Sequence, residues 1–358
     1  MPFTSATTGR AKAVKLPLGN ARGALARMVR WHESVGVLPE DGNVHLCASM
    51  LYHSAPLEGA VAALHMGHRV VLVDRWDPER LLEAIERQRV TTTFLVPTMF
   101  VRLLKLPPDV RNRHSTATLR FVVHGGAPCP VEVKRAMLDW WGPILWEAYG
   151  AAEAQGTMVS AAEWLERPGT VGRAVPGARI AILGEDGEAL PPRAVGKVYI
   201  VPYNGDRFEY LGDPEKTHGA YRGELVTVGD VGYVDEDGYL FLCGRRGELI
   251  ISSGMNIYPA EIEQVLVQHP AVVDCAVVGE PHALLGEVPI AIVQPMPGFE
   301  GSRTLSGELL EFLGERLSAM KLPKRIDYVA QIPRDPSGKL FRRLLDISST
   351  TPEGGALS

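Results

Sequence analysis

Between about Leu46 and Gly150, short apolar runs rich in β-branched residues alternate with stretches whose apolar positions recur every three to four residues. Arg69–Val73 (RVVLV), Thr92–Val96 (TTFLV), Arg120–His124 (RFVVH) and Ile144–Tyr149 have the length and composition of strands. Between the first two, Asp77 offers an N-cap and Pro78 suits the first helical turn, with Leu81, Leu82 and Ile85 on one face. Met99–Leu106 and Pro130–Trp141 also read as helices. This alternation predicts a parallel sheet with helices on its faces. Ligands of such sheets sit beyond the carboxyl ends of the strands, where Gly125-Gly126 and Tyr149-Gly150 fall.

After Gly169 the pattern changes to short strands with Asp-Gly turns at Asp186-Gly187 and Asp237-Gly238, which predicts a β subdomain over about 165–244. Further on, Ala260–Gln268 carries Ile262, Val265 and Leu266 on one helical face. Val272–Val278 and Val288–Val293 read as strands, and Leu305–Leu317 as a second amphipathic helix. The tail after Ile347 is expected to be disordered, and no internal repeat is visible. The expected fold class is α/β. A large layered α/β domain spans 1–246 and includes the β subdomain, and an α+β domain spans 247–358.

At 358 residues the chain has room for about two domains. A net charge of −5 leaves no basic footprint, so nucleic acid is not an expected partner. Cys47, Cys129, Cys243 and Cys275 lie far apart with no C-x-x-C pair, which suggests neither zinc nor a disulfide framework. The start has no apolar signal core, and no apolar run approaches the roughly 20 residues of a membrane span. The expected location is the cytoplasm.

Several stretches carry chemistry. Thr4-Ser5-Ala6-Thr7-Thr8-Gly9-Arg10-Ala11-Lys12 gathers hydroxyls, a glycine and a lysine, as a phosphate-binding loop does, although a frayed terminus has the same composition. Gly125-Gly126-Ala127-Pro128 follows a strand and lets backbone approach a flat ring, or is a simple turn. In Glu147-Ala148-Tyr149-Gly150-Ala151-Ala152-Glu153 the last glutamate is a candidate metal ligand or a solvated side chain. Asp230, in Thr227-Val228-Gly229-Asp230, is suited to accept two adjacent hydroxyls, or to form a turn. Gly244, Gly247 and Gly254 lie where the chain changes character, and glycines absorb large backbone rotations at hinges.

The stretch GRRGELIISSGMNIYPAEIE (Gly244–Glu263) closely resembles the hinge motif of the AMP-forming (adenylate-forming) acyl-CoA synthetase family. The other stretches resemble that family's motifs in the family's order from Thr4 to about Leu345. The resemblance implies a phosphate loop of Thr4, Ser5, Thr7, Thr8, Gly9 and Lys12, and an adenine site of Gly125, Gly126, Ala127 and Pro128. It implies a nucleotide site completed by Glu147, Ala148, Tyr149 and Gly150, with Tyr149 stacked on adenine and Glu153 holding Mg²⁺. Asp230 would accept the ribose hydroxyls, Arg245 would lie near ribose and phosphate, and His53 would border the acyl pocket. Val171–Gly177 (VGRAVPG) matches a turn that reads as structural. Gly247 stands at the pivot, and Ser253, Gly254 and Met255 would face the thiol of coenzyme A. Lys339, in Pro333–Lys339, would bridge the acyl carboxylate and the α-phosphate, which lowers their mutual repulsion.

The implied activity is a ligase that takes a carboxylic acid, ATP with Mg²⁺ and CoA to an acyl-CoA thioester, through an acyl-adenylate and rotation of a mobile small domain. The acid is expected to be fatty or bulky. The family has well over a hundred residues ahead of its phosphate loop, so the large domain is expected to be partial, with an exposed apolar face favouring homo-oligomers or a partner protein. Departures from the motifs cluster at phosphate contacts. There Ala6 and Ala13 stand for glycines, Ala11 for proline and Ala152 for threonine; elsewhere Gly247 stands for Asp or Lys at the pivot and Val228 for threonine. An alanine forced to positive φ costs on the order of 1 kcal/mol, and Ala152 forgoes a hydrogen bond of roughly 0.5–1.5 kcal/mol. Two further readings follow: a ligase that converts only preformed acyl-AMP, and a non-catalytic relative that binds acyl-AMP or a partner.

Overall fold

The structure, a computed structural model, describes residues 3–4, 12–17, 21–34, 37–39, 42–74, 76–202, 207–334 and 340–345. The antiparallel pair β1 (Phe3–Thr4) and β2 (Lys12–Lys15) sets Thr4 opposite Lys12, and helix α1 (Ala21–Ser34) follows. Then come β3 (Val44–Cys47), α2 (Ser54–His65), β4 (Arg69–Leu72), α3 (Pro78–Gln88) and β5 (Thr92–Leu95). Helix α4 (Pro97–Leu104), short α5 (Pro108–Arg111), β6 (Phe121–Gly125), α6 (Val131–Trp141) and β7 (Leu145–Gly150) continue the alternation. Strands β8 (Gln155–Val159) and β9 (Arg173–Ala174), with α7 (Ala161–Glu166) between them, complete a seven-stranded sheet ordered β4-β3-β5-β6-β7-β8-β9.

The four strands expected in this sheet form within one residue of their bounds, whereas the two expected further on are longer than expected, running over Val272–His282 and Gly286–Pro295. Asp77 caps α3 by accepting from the amides of Glu79 (3.1 Å) and Arg80 (3.0 Å), and Leu81, Leu82 and Ile85 are buried beneath it. Helix α4 starts at Pro97, earlier than expected, because proline fits a first turn, and Pro107-Pro108 bars its continuation. The sheet is parallel only as far as β7; β8 and β9 are antiparallel. The β7–β8 link is a tight turn, closed by Ala151 N–H to the Ala154 carbonyl at 2.8 Å, and a parallel crossover needs a dozen residues or more. Leu46, Leu95, Val122 and Leu145 from the strands meet Phe100 and Met137 from the helices in one core. Each such side chain contributes about 1.5–3 kcal/mol on burial.

The β subdomain comprises β10 (Arg179–Leu183), β11 (Gly196–Val201), β12 (Glu209–Tyr210), α8 (Pro214–Gly219), β13 (Tyr221–Arg222), β14 (Leu225–Val226), β15 (Asp230–Val234) and β16 (Leu240–Arg245). Both Asp-Gly turns form, with Gly187 and Gly238 at φ +81°. Strand β12 leaves this sheet and pairs with β2, setting Tyr210 opposite Val14. A single 3-10 turn, Arg246–Glu248, precedes a separate, five-stranded sheet. It is built from β17 (Ile250–Ser252), β18 (Met255–Ile257), β19 (Val272–His282), β20 (Gly286–Pro295) and β21 (Arg325–Tyr328), with α9 (Pro259–Leu266) and α10 (Arg303–Gly314) packed on it. The tail after Ile347 lies outside the described residues. Among the described residues no helix is long and apolar enough to cross a membrane.

Candidate active site

The loops at the carboxyl ends of β3, β6 and β7 bring the candidate residues to one edge of the large sheet. Gly125 is required by the close pairing of β6 and β7, since a Cβ there would sit 2.3 Å from the Ala148 carbonyl oxygen. Gly126 turns the chain out of the strand at φ +81°, and Gly126 and Pro128 are exposed, with Ala127 half-buried between them. This leaves a small-residue shelf open to a planar ring. His53 is the N-cap residue of α2, with its ring 4.5 Å from that of Tyr52.

Tyr149, at the end of β7, donates its hydroxyl to Asp230 Oδ2 at 2.8 Å. Arg245, directly opposite Asp230 in the β15–β16 ladder, donates Nε to Oδ1 at 3.1 Å. Burial raises the Tyr149 phenol well above its ordinary value, and the Asp230 carboxylate adds to that, so the hydroxyl is a fixed donor. A carboxylate offers about four acceptor sites, and these two bonds leave room for hydroxyls of a ligand.

A second cluster forms where β12 meets β2. Glu153 is buried, its Oε1 accepts the Tyr210 hydroxyl at 2.8 Å, and its Oε2 has no hydrogen-bond partner among the described residues. Lys12 Nζ lies 4.7 Å from the centre of the Tyr210 ring, so the lysine of the expected phosphate loop stands beside the expected metal ligand. Burial first, and then Glu153, raises the Tyr210 phenol. Tyr149 and Ala152 pack against the apolar cluster that holds Tyr210, Phe208 and Val14, so the two polar clusters share a wall. Ala13 is in extended β2, buried and without positive φ, so alanine costs nothing in backbone strain there.

Glu147 departs from the expectation of a nucleotide contact through its side chain. Strand alternation turns its carboxylate into the core, where Oε2 accepts from Lys134 Nζ at 2.7 Å and lies 3.8 Å from His124 Nε2. Burial pushes Glu147 up and Lys134 down, both toward their neutral forms, and their mutual attraction opposes this. His124 is fully buried, and burial followed by the Lys134 charge holds its pKa well below the ordinary range. Lys134 also stands over the Trp164 ring at 4.8 Å.

In the C-terminal unit, Gly247 sits in the 3-10 turn, where neither a positive φ nor a close neighbour calls for glycine. Ser253 (φ +50°) and Gly254 (φ +78°) form the two-residue turn of the β17–β18 hairpin, with Met255 exposed beside it. Arg342 joins the turn to α9 through Glu248 (3.2 Å) and Glu263 (3.1 Å). Lys105, capping α4, donates Nζ to the carbonyls of Val267 (3.0 Å) and Val272 at the α9–β19 turn. Thr4 lies in β1, while Ser5, Thr7, Thr8, Gly9, Ala6, Ala11 and Lys339 lie outside the described residues.

Sequence reasoning missed Tyr210, Lys134 and His124. Nothing local marks Tyr210. Lys134 did carry a signal, since it shares a helical face with Met137, Leu138 and Trp141, all buried.

Residues 1–204 match the AMP-binding enzyme family, and residues 261–339 match the AMP-binding enzyme C-terminal domain. The 2-succinylbenzoate–CoA ligase of Bacillus cytotoxicus is 31% identical over 349 residues, which are 96% of this chain and 68% of that protein. The feruloyl-CoA synthase of an Amycolatopsis species is 36% identical over 348 residues, 95% of this chain and 67% of that protein. Among solved structures, the o-succinylbenzoate CoA synthetase of Bacillus subtilis in complex with its acyl-adenylate intermediate superposes with a TM-score of 0.83 at 29% identity. That match covers 98% of this chain and 69% of the other. The same enzyme with ATP and a magnesium ion superposes at 0.80, with 29% identity over 96% of this chain and 69% of the other.

Proposed function

We propose that this chain, which belongs to the AMP-binding enzyme family and is an AMP-forming ligase of the acid–CoA type, binds ATP across the Tyr149–Asp230 and Glu153–Tyr210 clusters and joins a bulky carboxylic acid to CoA. One observation supports the reading above others: Glu153 holds a buried carboxylate oxygen with no hydrogen-bond partner among the described residues, beside Tyr210 and Lys12. An orphaned buried acceptor is costly unless a ligand completes it.

Mg²⁺ fits this donor set. It takes oxygen ligands, keeps several waters and uses one or two carboxylates together with substrate phosphates. Among the described residues no group of three or more His, Cys, Asp or Glu could hold a metal by itself, which agrees with a shared site of that kind. Glu153 would hold the ion, and the ion would neutralise developing charge on the phosphates. Adenine would rest on the Gly126–Pro128 shelf against Tyr149, and Asp230 would accept the ribose hydroxyls while Arg245 holds that carboxylate in place. The acyl carboxylate would attack the α-phosphate with loss of pyrophosphate, Lys339 bridging the two anions. The CoA thiol would then attack the acyl carbonyl and release AMP. Between the steps the unit 247–358 would turn about Gly247, bringing the Ser253–Met255 turn to the site.

His53 and Tyr52 beside the carboxyl end of β3 support a bulky acid. A second reading, thioester formation from preformed acyl-AMP only, is favoured by Ala152, whose methyl packs into the apolar cluster where a hydroxyl would contact phosphate.

The test supplies purified protein and CoA either with an acid, ATP and Mg²⁺ or with the synthetic acyl-AMP. Thioester from both, with pyrophosphate released, is the expected result. Thioester from acyl-AMP alone would replace the first reading by the second, and thioester from neither would overturn both.

A further inference from the structure

The chain is held on both sides of Gly247, and to different units. On the large-domain side, Arg245 pairs with Asp230 in the β15–β16 ladder, and the Arg246 amide donates to the Gly229 carbonyl at 3.0 Å. On the other side, Glu248 accepts from Arg342 at 3.2 Å. Arg342 belongs to the C-terminal unit, where its guanidinium also meets Glu263 on α9 at 3.1 Å and donates to the Val277 carbonyl in β19 at 2.6 Å. The side chains of Arg342 and Glu248 are 18% and 21% exposed, so this is no solvated surface pair. A guanidinium fork that meets two carboxylates and a carbonyl is held in one orientation.

Arg342 also lies three residues past Lys339. Leu340 bridges Arg334 in antiparallel register, and the Phe341 amide donates to the Pro333 carbonyl at 2.8 Å. Arg334 in turn grips Asp274 on β19 through Nε (2.6 Å) and a terminal nitrogen (2.8 Å). Two arginines therefore fasten the residues on either side of 335–339 to one strand, and the second of them also holds the turn after Gly247.

We propose that the Glu248–Arg342 contact couples the turn after Gly247 to the segment that carries Lys339, which makes Arg342 a positioning residue for adenylate formation. The inference rests on the ligase reading, in which Lys339 bridges carboxylate and phosphate and the unit 247–358 turns about Gly247. Held on both sides, the chain takes up that rotation at Gly247 itself, and the angle adopted there passes through Glu248 and Arg342 to Leu340. Accuracy matters at the far end, because misplacing a reacting group by about 1 Å costs up to roughly a hundredfold in rate. The thiol step needs no such coupling. Its turn, Ser253–Met255, is carried by the β17–β18 ladder, which follows the 3-10 turn directly.

The test compares the parent with Glu248→Ala and Glu248→Gln. Alanine removes the contact and orphans no charge, since Arg342 keeps Glu263 and the Val277 carbonyl. Glutamine keeps an acceptor oxygen for the guanidinium. Cinnamate and octanoate serve as probe acids with ATP and Mg²⁺, and their synthetic AMP anhydrides with CoA. Glu248→Ala is expected to lower kcat for pyrophosphate release about tenfold or more, and to change thioester formation from the acyl-AMP by less than about twofold. Glu248→Gln should stay near the parent in both. Hydrogen exchange reads the coupling without turnover: Glu248→Ala should speed exchange at the amides of 340–345 and leave α10 as in the parent. Melting curves confirm that each variant folds, and Glu248→Ser replaces the alanine variant if it does not. Pyrophosphate release at the parent's rate, equal losses in both half-reactions, or unchanged exchange at 340–345 would overturn the proposal. Faster exchange at 340–345 in a chain that releases no pyrophosphate with either acid would sustain the coupling and overturn the adenylation reading instead.

Discussion

Tyr210 fixes Glu153 by one hydrogen bond of 2.8 Å and leaves the other carboxylate oxygen buried without a partner among the described residues. The two residues are 57 positions apart, and only the pairing of β12 with β2 brings the tyrosine to the site. Tyr210→Phe removes the bond but keeps the ring under Lys12. The expected loss of stability is about 0.5–1.5 kcal/mol. The Mg²⁺ concentration for half-maximal pyrophosphate release should rise, because the glutamate is no longer aimed. An unchanged Mg²⁺ dependence would show that Tyr210 only fills space.

AMP affinity separates the roles at the other cluster. Tyr149→Phe keeps the stacking surface and loses the bond to Asp230, so calorimetry should show a weakening of up to about tenfold. Asp230→Ala removes a charged acceptor worth about 1.5–3 kcal/mol, which corresponds to roughly tenfold to a hundredfold. If Asp230→Ala binds AMP as the parent does, the ribose assignment is wrong.

The Lys134–Glu147 pair predicts a stability result independent of activity. Lys134→Met leaves Glu147 buried and alone, and breaking a buried pair in this way costs about 3–5 kcal/mol. The double variant Lys134→Met with Glu147→Leu should recover most of that loss in urea unfolding. Equal destabilisation by the single and double variants would place the cost in packing against Trp164.

Burial brings Lys105 down to about 8, partly offset by Cys275 and Asp274, from an ordinary 10.5. Below about 8 both folded and unfolded chains carry the proton. Between about 8 and 10.5 the unfolded chain binds it more tightly, so this residue's contribution to stability improves as pH rises. Parent and Lys105→Met melting curves should therefore diverge in the parent's favour from pH 8 upward. Parallel curves across that window would refute the shift.

Two glycines make opposite predictions. Gly125→Ala sets a methyl against the Ala148 carbonyl, so it should distort the adenine shelf and abolish measurable AMP binding. Gly247→Ala meets nothing and should stabilise the resting protein by about 0.4–1 kcal/mol. Its effect belongs to the rotation: thioester formation from acyl-AMP should change while AMP affinity does not. A variant that alters neither half-reaction would remove Gly247 from the hinge.

The local sequence determined much of this protein. Asp77-Pro78 started a helix, Asp-Gly pairs closed hairpins, and β-branched runs between helical periods specified a parallel core, because each depends on neighbours a few residues away. The order of the motifs likewise marked Tyr149, Asp230 and Glu153 as candidates for one site. Tertiary structure decided what those groups touch. It turned Glu147 inward to Lys134, made β8 antiparallel, and recruited Tyr210 from a strand that pairs outside its own subdomain. Those outcomes depend on which distant surfaces meet and which buried polar atoms find partners. The strand period and the helix period fix a side chain's face, but not the chain that will lie against it.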